Sequence, residues 1–293
     1  MRRQCSLPRF KQVLAILRKY FQFISLDEAV SMISGEIPVR PYCAVLTFDD
    51  GYRNNYLAAL PVLQQYSIPA TFFLPTGHIT NKKPFWFDTL DYFLQKGKLG
   101  SFTLSIAEDD VCFATGNRDK VKDQYRRFLY QYNRQFYAND SHFQKKIYAQ
   151  IDSAGKISGD NVETLLKRDP RTALMSWDEV GECVQTSDIT MGSHSVDHLR
   201  LASLDEEHIR QQLVDSKNDI EQHIGRKCRH LCYPNGSYDE RVINIGEECG
   251  YKAAVTTVSG LNTVGDDVFG LCRIGLPLRA DKFHILSHIY RKR

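Results

Sequence analysis

The stretch Cys43-Ala-Val-Leu-Thr-Phe-Asp-Asp-Gly-Tyr52 is an apolar run that ends in two adjacent carboxylates, Asp49 and Asp50. A short apolar run that is closed by a turn signal predicts a buried β-strand. In α/β proteins, ligands bind at the edge of the sheet where such strands end. The stretch therefore predicts an α/β fold with a functional site beyond this strand.

A second stretch of this kind is Gly192-Ser-His-Ser-Val-Asp-His198, which follows a predicted strand over 189–193. His194 and His198 are four residues apart, so both imidazoles can face one ion if the stretch turns helically. Imidazole and carboxylate ligands together suit Zn²⁺, and three protein ligands leave one position open for water. Two carboxylates and two imidazoles at strand ends thus predict a metal hydrolase, in which the fourth group is free for proton transfer.

The rest of the chain alternates between strand and helix patterns from residue 43 onward. We predict strands over 43–49, 70–75, 189–193, 229–233, 252–257 and 269–274, and helices over 55–66, 204–224, 239–249 and 281–291. Such alternation implies a parallel sheet that is covered by helices. The pattern alone fits a doubly wound sheet and a barrel equally well.

Two further segments complete the predicted organisation. Residues 1–40 form an N-terminal helical segment, because Phe10 to Tyr20 carries an apolar helical stripe and a capping box follows at Ser25. Residues 41–293 form the main domain, which a largely helical insertion over 80–175 interrupts. The insertion is either a lid over the site or a cap that stiffens the domain.

Composition limits the classes of function. The formal charge of +3 is spread along the 293 residues and gives no electrostatic reason to expect a nucleic-acid partner. The eight cysteines lack the spacing of a disulfide framework, which favours a reducing compartment. We find no signal peptide or transmembrane segment in the sequence and expect a cytoplasmic protein.

The chain resembles the polysaccharide deacetylases, the NodB-homology domain of carbohydrate esterase family 4. The resemblance rests on Thr47-Phe-Asp-Asp-Gly51, on Gly192-Ser-His-Ser-Val-Asp-His198 and on three shorter stretches, Ile68–Pro75, Ser176–Val180 and Cys232–Tyr238. It implies a distorted (β/α)7 barrel that removes an N-acetyl group. By position, Asp50, His194 and His198 would hold a divalent metal, most favourably Zn²⁺, and Asp49 would take a proton from the attacking water.

The third motif departs from the family pattern. The family has Arg-x-Pro-Tyr, whereas this chain has Cys232-Tyr-Pro-Asn235. In the family, the position of Asn235 contributes a backbone N–H to the oxyanion hole, and asparagine retains that donor. A thiol cannot replace the arginine that orients the catalytic aspartate. We expect Arg273, on the predicted strand 269–274, to take that role; the alternative is a surface salt bridge.

Two motifs have a less specific interpretation. Leu286-Ser-His288 matches the fifth family motif, whose histidine protonates the leaving amine, but we favour a surface histidine on the terminal helix. The leaving-group acid is then unassigned. Cys228 and Cys232 could join the two histidines in a structural zinc site. If residues 229–233 are extended, however, their Cα atoms lie about 13 Å apart, which is too far for two ligands of one zinc.

The sequence therefore predicts a metal-dependent hydrolase that deacetylates an amino sugar of a polysaccharide or glycolipid precursor. Two alternatives stay open. One is a deformylase or non-sugar amidase of the same fold, and the other is an inactive carbohydrate-binding protein that has lost the arginine of the third motif.

Overall fold

The structure is a computed structural model that describes residues 5–96, 100–106, 109–114, 121–128, 141–158, 167, 169, 171–186, 188–275 and 281–290. Parts of the predicted insertion and the last residue of the predicted helix 281–291 lie outside these ranges. The chain divides into two compact units. One comprises Asn81–Leu174 with Met1–Arg2, and the other comprises Arg3–Thr80 with Met175–Arg293.

The strands of the larger unit are all parallel to their neighbours. They are β1 (Gln22–Phe23), β2 (Cys43–Ala44), β3 (Leu46–Phe48), β4 (Ala70–Leu74), β7 (Ile189–Ser193), β8 (His230–Cys232) and β9 (Ala253–Val255). Strands β3, β4, β7, β8 and β9 form one sheet in that order, β1 pairs with β2, and a parallel bridge joins Val255 to Leu271.

The order of the strands in space follows their order in the chain. A doubly wound sheet would reverse its strand order at a switch point, whereas a barrel adds each strand beside the preceding one. With β2 and β3 as one interrupted strand and Leu271 as the last, the curled sheet has seven parallel positions. The predicted class, a distorted (β/α)7 barrel, is confirmed.

The helices of this unit include the predicted ones, close to their predicted positions, and two that were not predicted. They are α1 (Leu7–Leu17), α2 (Leu26–Ile33), α3 (Leu60–Tyr66), α4 (Thr76–Thr80), α7 (Trp177–Thr186), α8 (Glu206–Ile224), α9 (Glu240–Glu248) and α10 (Lys282–Tyr290). Helices α4 and α7 are the two that were not predicted. Side chains at five N-caps in the described ranges accept a hydrogen bond from the first turn, namely those of Ser25, Ser176, Asp205, Asp239 and Asp281. A π-helical turn over Asn55–Ala59 precedes α3, where Pro61 has no N–H to continue regular α-helical bonding.

Two parts of this unit differ from the sequence prediction. The predicted strand 269–274 is reduced to the bridge at Leu271, because a turn closed by a hydrogen bond from Gly270 N–H to Asp267 O occupies its start. The N-terminal segment is not purely helical. It contains β1, and α1 packs through Val13 and Leu17 on Ile285 of α10. A two-residue strand carries too little periodicity to be found from sequence.

The smaller unit has its own hydrophobic core. It contains α5 (Trp86–Lys96), an antiparallel hairpin of β5 (Ser101–Ile106) and β6 (Asp109–Ala114), and α6 (Ser141–Ser158). Phe93, Phe102 and Ile151 are buried in this core. The hairpin was not predicted, although Phe102 and Leu104 are buried and alternate with more exposed residues. The role of this unit as a lid or a cap stays a prediction.

The residues on either side of the inserted segment meet within the larger unit. Thr80 is the last residue before the insertion, and its Oγ1 accepts a hydrogen bond of 3.0 Å from Trp177 Nε1, just after the insertion. Strands β4 and β7, which flank the insertion, pair directly over five residues. Among the described residues, we find no helix with the length and hydrophobicity that a membrane span requires.

Candidate active site

The polar side chains of the predicted motifs meet at the carboxyl edge of the parallel sheet. Asp49 and Asp50 follow β3, His194 follows β7, and Cys232 ends β8. These strands are neighbours, or next neighbours, in the sheet. Residues that are far apart in the sequence therefore form one cluster, because parallel strands end on the same side.

Asp50, His194 and His198 form a buried group of potential ligands. Asp50 Oδ1 lies 3.5 Å from His194 Nε2 and 3.3 Å from His198 Nε2. The two imidazole rings meet edge to face, with their centroids 4.8 Å apart. One ligand atom from each residue can be chosen so that all three lie within 4.8 Å of one another. Such a set of two imidazoles and one carboxylate fits a divalent cation.

Hydrogen bonding orients the first imidazole for this role. His194 Nδ1 lies 2.7 Å from the carbonyl oxygen of Cys232, and because a carbonyl can only accept, Nδ1 must carry the proton. In the neutral ring, Nε2 then presents its lone pair toward Asp50. The hydrogen bond from Nδ1 to the Cys232 carbonyl thus fixes both the tautomer and the orientation of the His194 ring.

The negative charge of Asp50 in this group of three residues needs a positive charge nearby. Burial, with His194 and His78 nearby, lowers the pKa of His198 to about 4 despite Asp50, so this ring is neutral. Burial also acts to lower the pKa of His194, but Cys232 and the two neighbouring aspartates raise it. The Asp50 carboxylate can thus be balanced by a proton on His194 or by a bound cation.

Asp49 and Arg273 form a two-pronged ion pair beside these ligands. Arg273 Nη1 donates to Asp49 Oδ1 at 2.7 Å, and Nη2 donates to Oδ2 at 2.8 Å. Further hydrogen bonds run from Arg273 Nε to Thr256 O and from Nη1 to Thr47 Oγ1. Burial acts to raise the pKa of Asp49, but the hydrogen bonds and charge of Arg273 outweigh it and lower the pKa. The carboxylate is held ionised and in one rotamer.

Cys232 occupies the position where the family pattern has an arginine. Its thiol lies 3.4 Å from Arg273 Nη2, and burial raises its pKa. A second possible group of ligands among the described residues is Asp49 with His194 and Cys232. Cys228 belongs to neither group, and burial raises the pKa of its thiol to about 12. The rival Cys₂His₂ zinc site therefore has no support from the structure.

Asn235 lies in an unusual backbone conformation at the same edge. Its φ angle is +56°, in the left-handed region that asparagine tolerates better than most residues, and its side chain is exposed. No hydrogen bond from the Asn235 N–H to any other described residue is found. This donor is therefore available for a ligand.

Strained backbone accumulates around the site. Of the non-glycine residues with positive φ in the described ranges, four belong to the motifs discussed here, namely Asp50, Ser195, His198 and Asn235. Such conformations cost on the order of 1 kcal/mol or more each and cluster at functional sites. The motif spacing alone did not predict them.

His288 lies apart from the contacts described above. Its Nε2 bonds to the carbonyl oxygen of Gly275 at 3.1 Å, and the side chain is half-buried rather than fully exposed at the surface. Leu286 is also half-buried. These contacts do not assign His288 a role, and the leaving-group acid stays unassigned.

Comparison with known proteins identifies the class. The family described as polysaccharide deacetylase matches residues 37–254, which is most of the chain. The chain therefore belongs to the polysaccharide deacetylase family, as the motifs predicted.

Individual relatives are distant in sequence. YxkH from Bacillus subtilis (strain 168), a candidate polysaccharide deacetylase, is 19% identical over 254 residues, which cover 87% of this chain and 58% of YxkH. The chain thus spans little more than half the length of that relative.

Two solved structures show the same fold. The deacetylase PplD of Streptococcus pyogenes, in complex with acetate, has a TM-score of 0.63 at 16% identity, covering 98% of this chain and 89% of PplD. IcaB from Ammonifex degensii has a TM-score of 0.59 at 19% identity, covering 93% of this chain and 84% of the IcaB chain.

Proposed function

We propose that the protein is a zinc-dependent hydrolase that removes the N-acetyl group from an amino sugar of a polysaccharide or glycolipid precursor. The observation that carries the proposal is the position of Asp50, His194 and His198 next to the Asp49–Arg273 ion pair. Amide hydrolysis needs a polarised carbonyl, an activated water and stabilisation of the oxyanion. This grouping offers residues for each requirement.

Asp50, His194 and His198 would hold the metal. Members of this family generally use a divalent metal, and three ligands with one open position form the usual donor set of catalytic zinc. When bound, the cation polarises the amide carbonyl and makes water more acidic. The hydrogen bond from His194 to Cys232 O supports this assignment, since it leaves Nε2 as the ligand atom.

Asp49 is the general base in this proposal. Each of its oxygens accepts one hydrogen bond from Arg273, and a carboxylate oxygen has a second lone pair that can take a proton from water. Arg273 keeps the carboxylate ionised and limits its rotation. Asp49 can then deliver the proton to the leaving amine or to solvent.

Asn235 contributes the backbone donor of the oxyanion hole. Its N–H has no partner among the described residues, and a donor that is oriented before the reaction stabilises developing charge without reorganisation. The loss of the tyrosine side chain at this position leaves that function intact. What changes is the exposed surface, where an asparagine amide now meets the substrate.

The test is hydrolysis of a short oligomer of N-acetylglucosamine, with acetate and free amine measured together. We expect equal amounts of both products, loss of activity after chelation and recovery with added zinc. Faster release of formate from the N-formyl analogue would favour the deformylase alternative. Binding of the oligomer without product, by protein loaded with zinc, would favour the inactive binding protein.

A further inference from the structure

The loop between the two histidine ligands is held in a strained form. Ser195 and His198 have φ angles of +60° and +54°. His198 N–H donates to Ser195 Oγ at 3.0 Å, which closes the loop on itself. A loop that carries two such conformations needs support from outside, because each one is unfavourable by about 1 kcal/mol or more.

One side of the loop is fixed through its carbonyl groups. The three carbonyls of residues 195–197 bond, in order, to the Thr76 N–H at 3.2 Å, the Gly77 N–H at 3.0 Å and His78 Nε2 at 3.4 Å. The approach is close, since a Cβ on Gly77 would lie 2.8 Å from Val196 Cγ1. Helix α4 therefore fits against this side without spare room.

On the other side, the side chain of Gln212 on α8 holds the loop. Its Oε1 accepts from the Val196 N–H at 3.1 Å and from the Asp197 N–H at 2.9 Å. Its Nε2 donates to Asp197 Oδ2 at 2.8 Å. The amide has only one orientation that satisfies these partners, because backbone N–H groups only donate and a carboxylate only accepts.

We infer that Gln212 is a positioning residue that sets the geometry of the metal site through three hydrogen bonds to the loop between His194 and His198. The inference rests on the metal site of the proposed function. The hydrogen bonds of Gln212 go to Val196 and Asp197, which lie between the two histidines, so it acts through the loop. Residues that orient metal ligands in this way typically change metal affinity by about 10- to 100-fold when they are replaced.

The first test compares Gln212→Met with Gln211→Met. Methionine has a similar length but can neither accept the two N–H groups nor donate to Asp197. Gln211 is the exposed neighbour on the same helix and serves as the matched control. Zinc dissociation constants are measured by competition with a chromogenic chelator, and the melting temperature of metal-free protein is measured by circular dichroism.

We expect Gln212→Met to weaken zinc binding by about tenfold or more, while Gln211→Met leaves it unchanged. A second variant, Gln212→Glu, keeps the acceptor but places a carboxylate against Asp197 and should also bind zinc more weakly. Adding Asp197→Asn to Gln212→Glu restores this hydrogen bond with the roles reversed, because the asparagine amide now donates and the glutamate carboxylate accepts. The double variant should regain affinity to within about threefold of the original protein.

The outcomes separate the inference from the proposed function. If the unaltered protein binds zinc tightly and Gln212→Met binds it equally well, or only melts at a lower temperature, the positioning role is wrong. Failure of Asp197→Asn to rescue Gln212→Glu would likewise contradict the hydrogen-bond pattern. If the unaltered protein binds no divalent metal, the proposed metal site itself is wrong, and this role falls with it.

Discussion

Arg273 and Asp49 are 224 residues apart in the chain, and their side chains form paired hydrogen bonds of 2.7 and 2.8 Å. The guanidinium group lies 3.4 Å from the sulfur of Cys232, the residue that stands where the family pattern has arginine. A thiol is small, so it leaves room for the guanidinium group of Arg273, which follows the bridge at Leu271. The aspartate thus keeps an arginine partner although the third motif has lost its own.

Replacing Arg273 by lysine should reduce turnover by about 100-fold, with little change in zinc content. Lysine offers a point charge and cannot form the planar fork that fixes both oxygens of Asp49. Steady-state acetate release and bound zinc are measured on the same preparation. Arg210→Lys is the control, since Arg210 pairs with Glu248 at the surface. Undiminished turnover in Arg273→Lys would show that the fork has no part in catalysis.

Asp49→Asn should fold and bind zinc but lose deacetylation, by about 100-fold or more. The amide is nearly isosteric with the carboxylate but cannot accept the proton of water. Acetate release from an N-acetylated oligomer measures the activity, and elemental analysis measures the metal. Full activity with normal zinc content would move the general base to another residue.

His198→Ala should lose most of the bound zinc, because two remaining ligands compete poorly with water for an open site. Cys228→Ser should retain the metal, since Cys228 belongs to neither group of potential ligands. Plasma mass spectrometry of the purified variants gives the zinc content per chain. The reverse pattern would place the metal at the cysteines.

Gly192→Ala should destabilise the larger unit by about 1–3 kcal/mol. An added Cβ would lie 2.4 Å from the buried ring of Phe73 and 3.0 Å from the carbonyl oxygen of His230. Gly181→Ala is the matched control. It lies within α7 with nothing in the way of a Cβ, so alanine should stabilise that helix by about 1 kcal/mol. Urea unfolding measures both changes, and a neutral effect of Gly192→Ala would contradict the tight packing of β7 on β4.

His230 should make stability depend on pH. Its ring is buried, and burial lowers its pKa from 6.5 to about 4, although Asp27 opposes the shift. Between these pH values the unfolded chain binds a proton that the folded protein excludes. The free energy of unfolding should therefore fall below pH 6.5, by up to about 1.4 kcal/mol per pH unit.

The test of this slope is His230→Leu, which removes the titrating ring from its buried position. The variant should lose stability less steeply than the original protein between pH 6.5 and pH 4. His284→Gln, at an exposed position on α10, is the control. Identical slopes for His230→Leu and the original protein would mean that another group governs the loss of stability in acid.

The sequence predicted the parts of the fold that depend on local patterns. Strand β7 was predicted with its observed bounds, and the capped helices α8 and α9 were predicted within two residues of theirs. For α2, only the start at its capping box was predicted. Each carries either a strong apolar period or a capping side chain. Strand β1 and the hairpin of the smaller unit were missed because their pairing depends on contacts that a short period-two pattern does not specify.

In the candidate site, too, the features that depend on local motifs were predicted and those that depend on tertiary contacts were not. The motifs located Asp50, His194 and His198, whose grouping follows from the ends of parallel strands. The left-handed backbone at Asp50 and Ser195 could not be predicted, since a tertiary fold is needed to hold it. Gln212 was also missed, because a glutamine in the middle of a long polar helix carries no signal until the loop that it contacts is known.

The hydrogen bond between Trp177 and Thr80 has a consequence for how such chains can diversify. The two residues border the 81–174 segment and meet on the larger unit, while β4 and β7 pair without its help. The segment therefore starts and ends at one place on a framework whose pairing it does not interrupt. A segment of this kind can change in length or sequence while the strands that flank it keep their register.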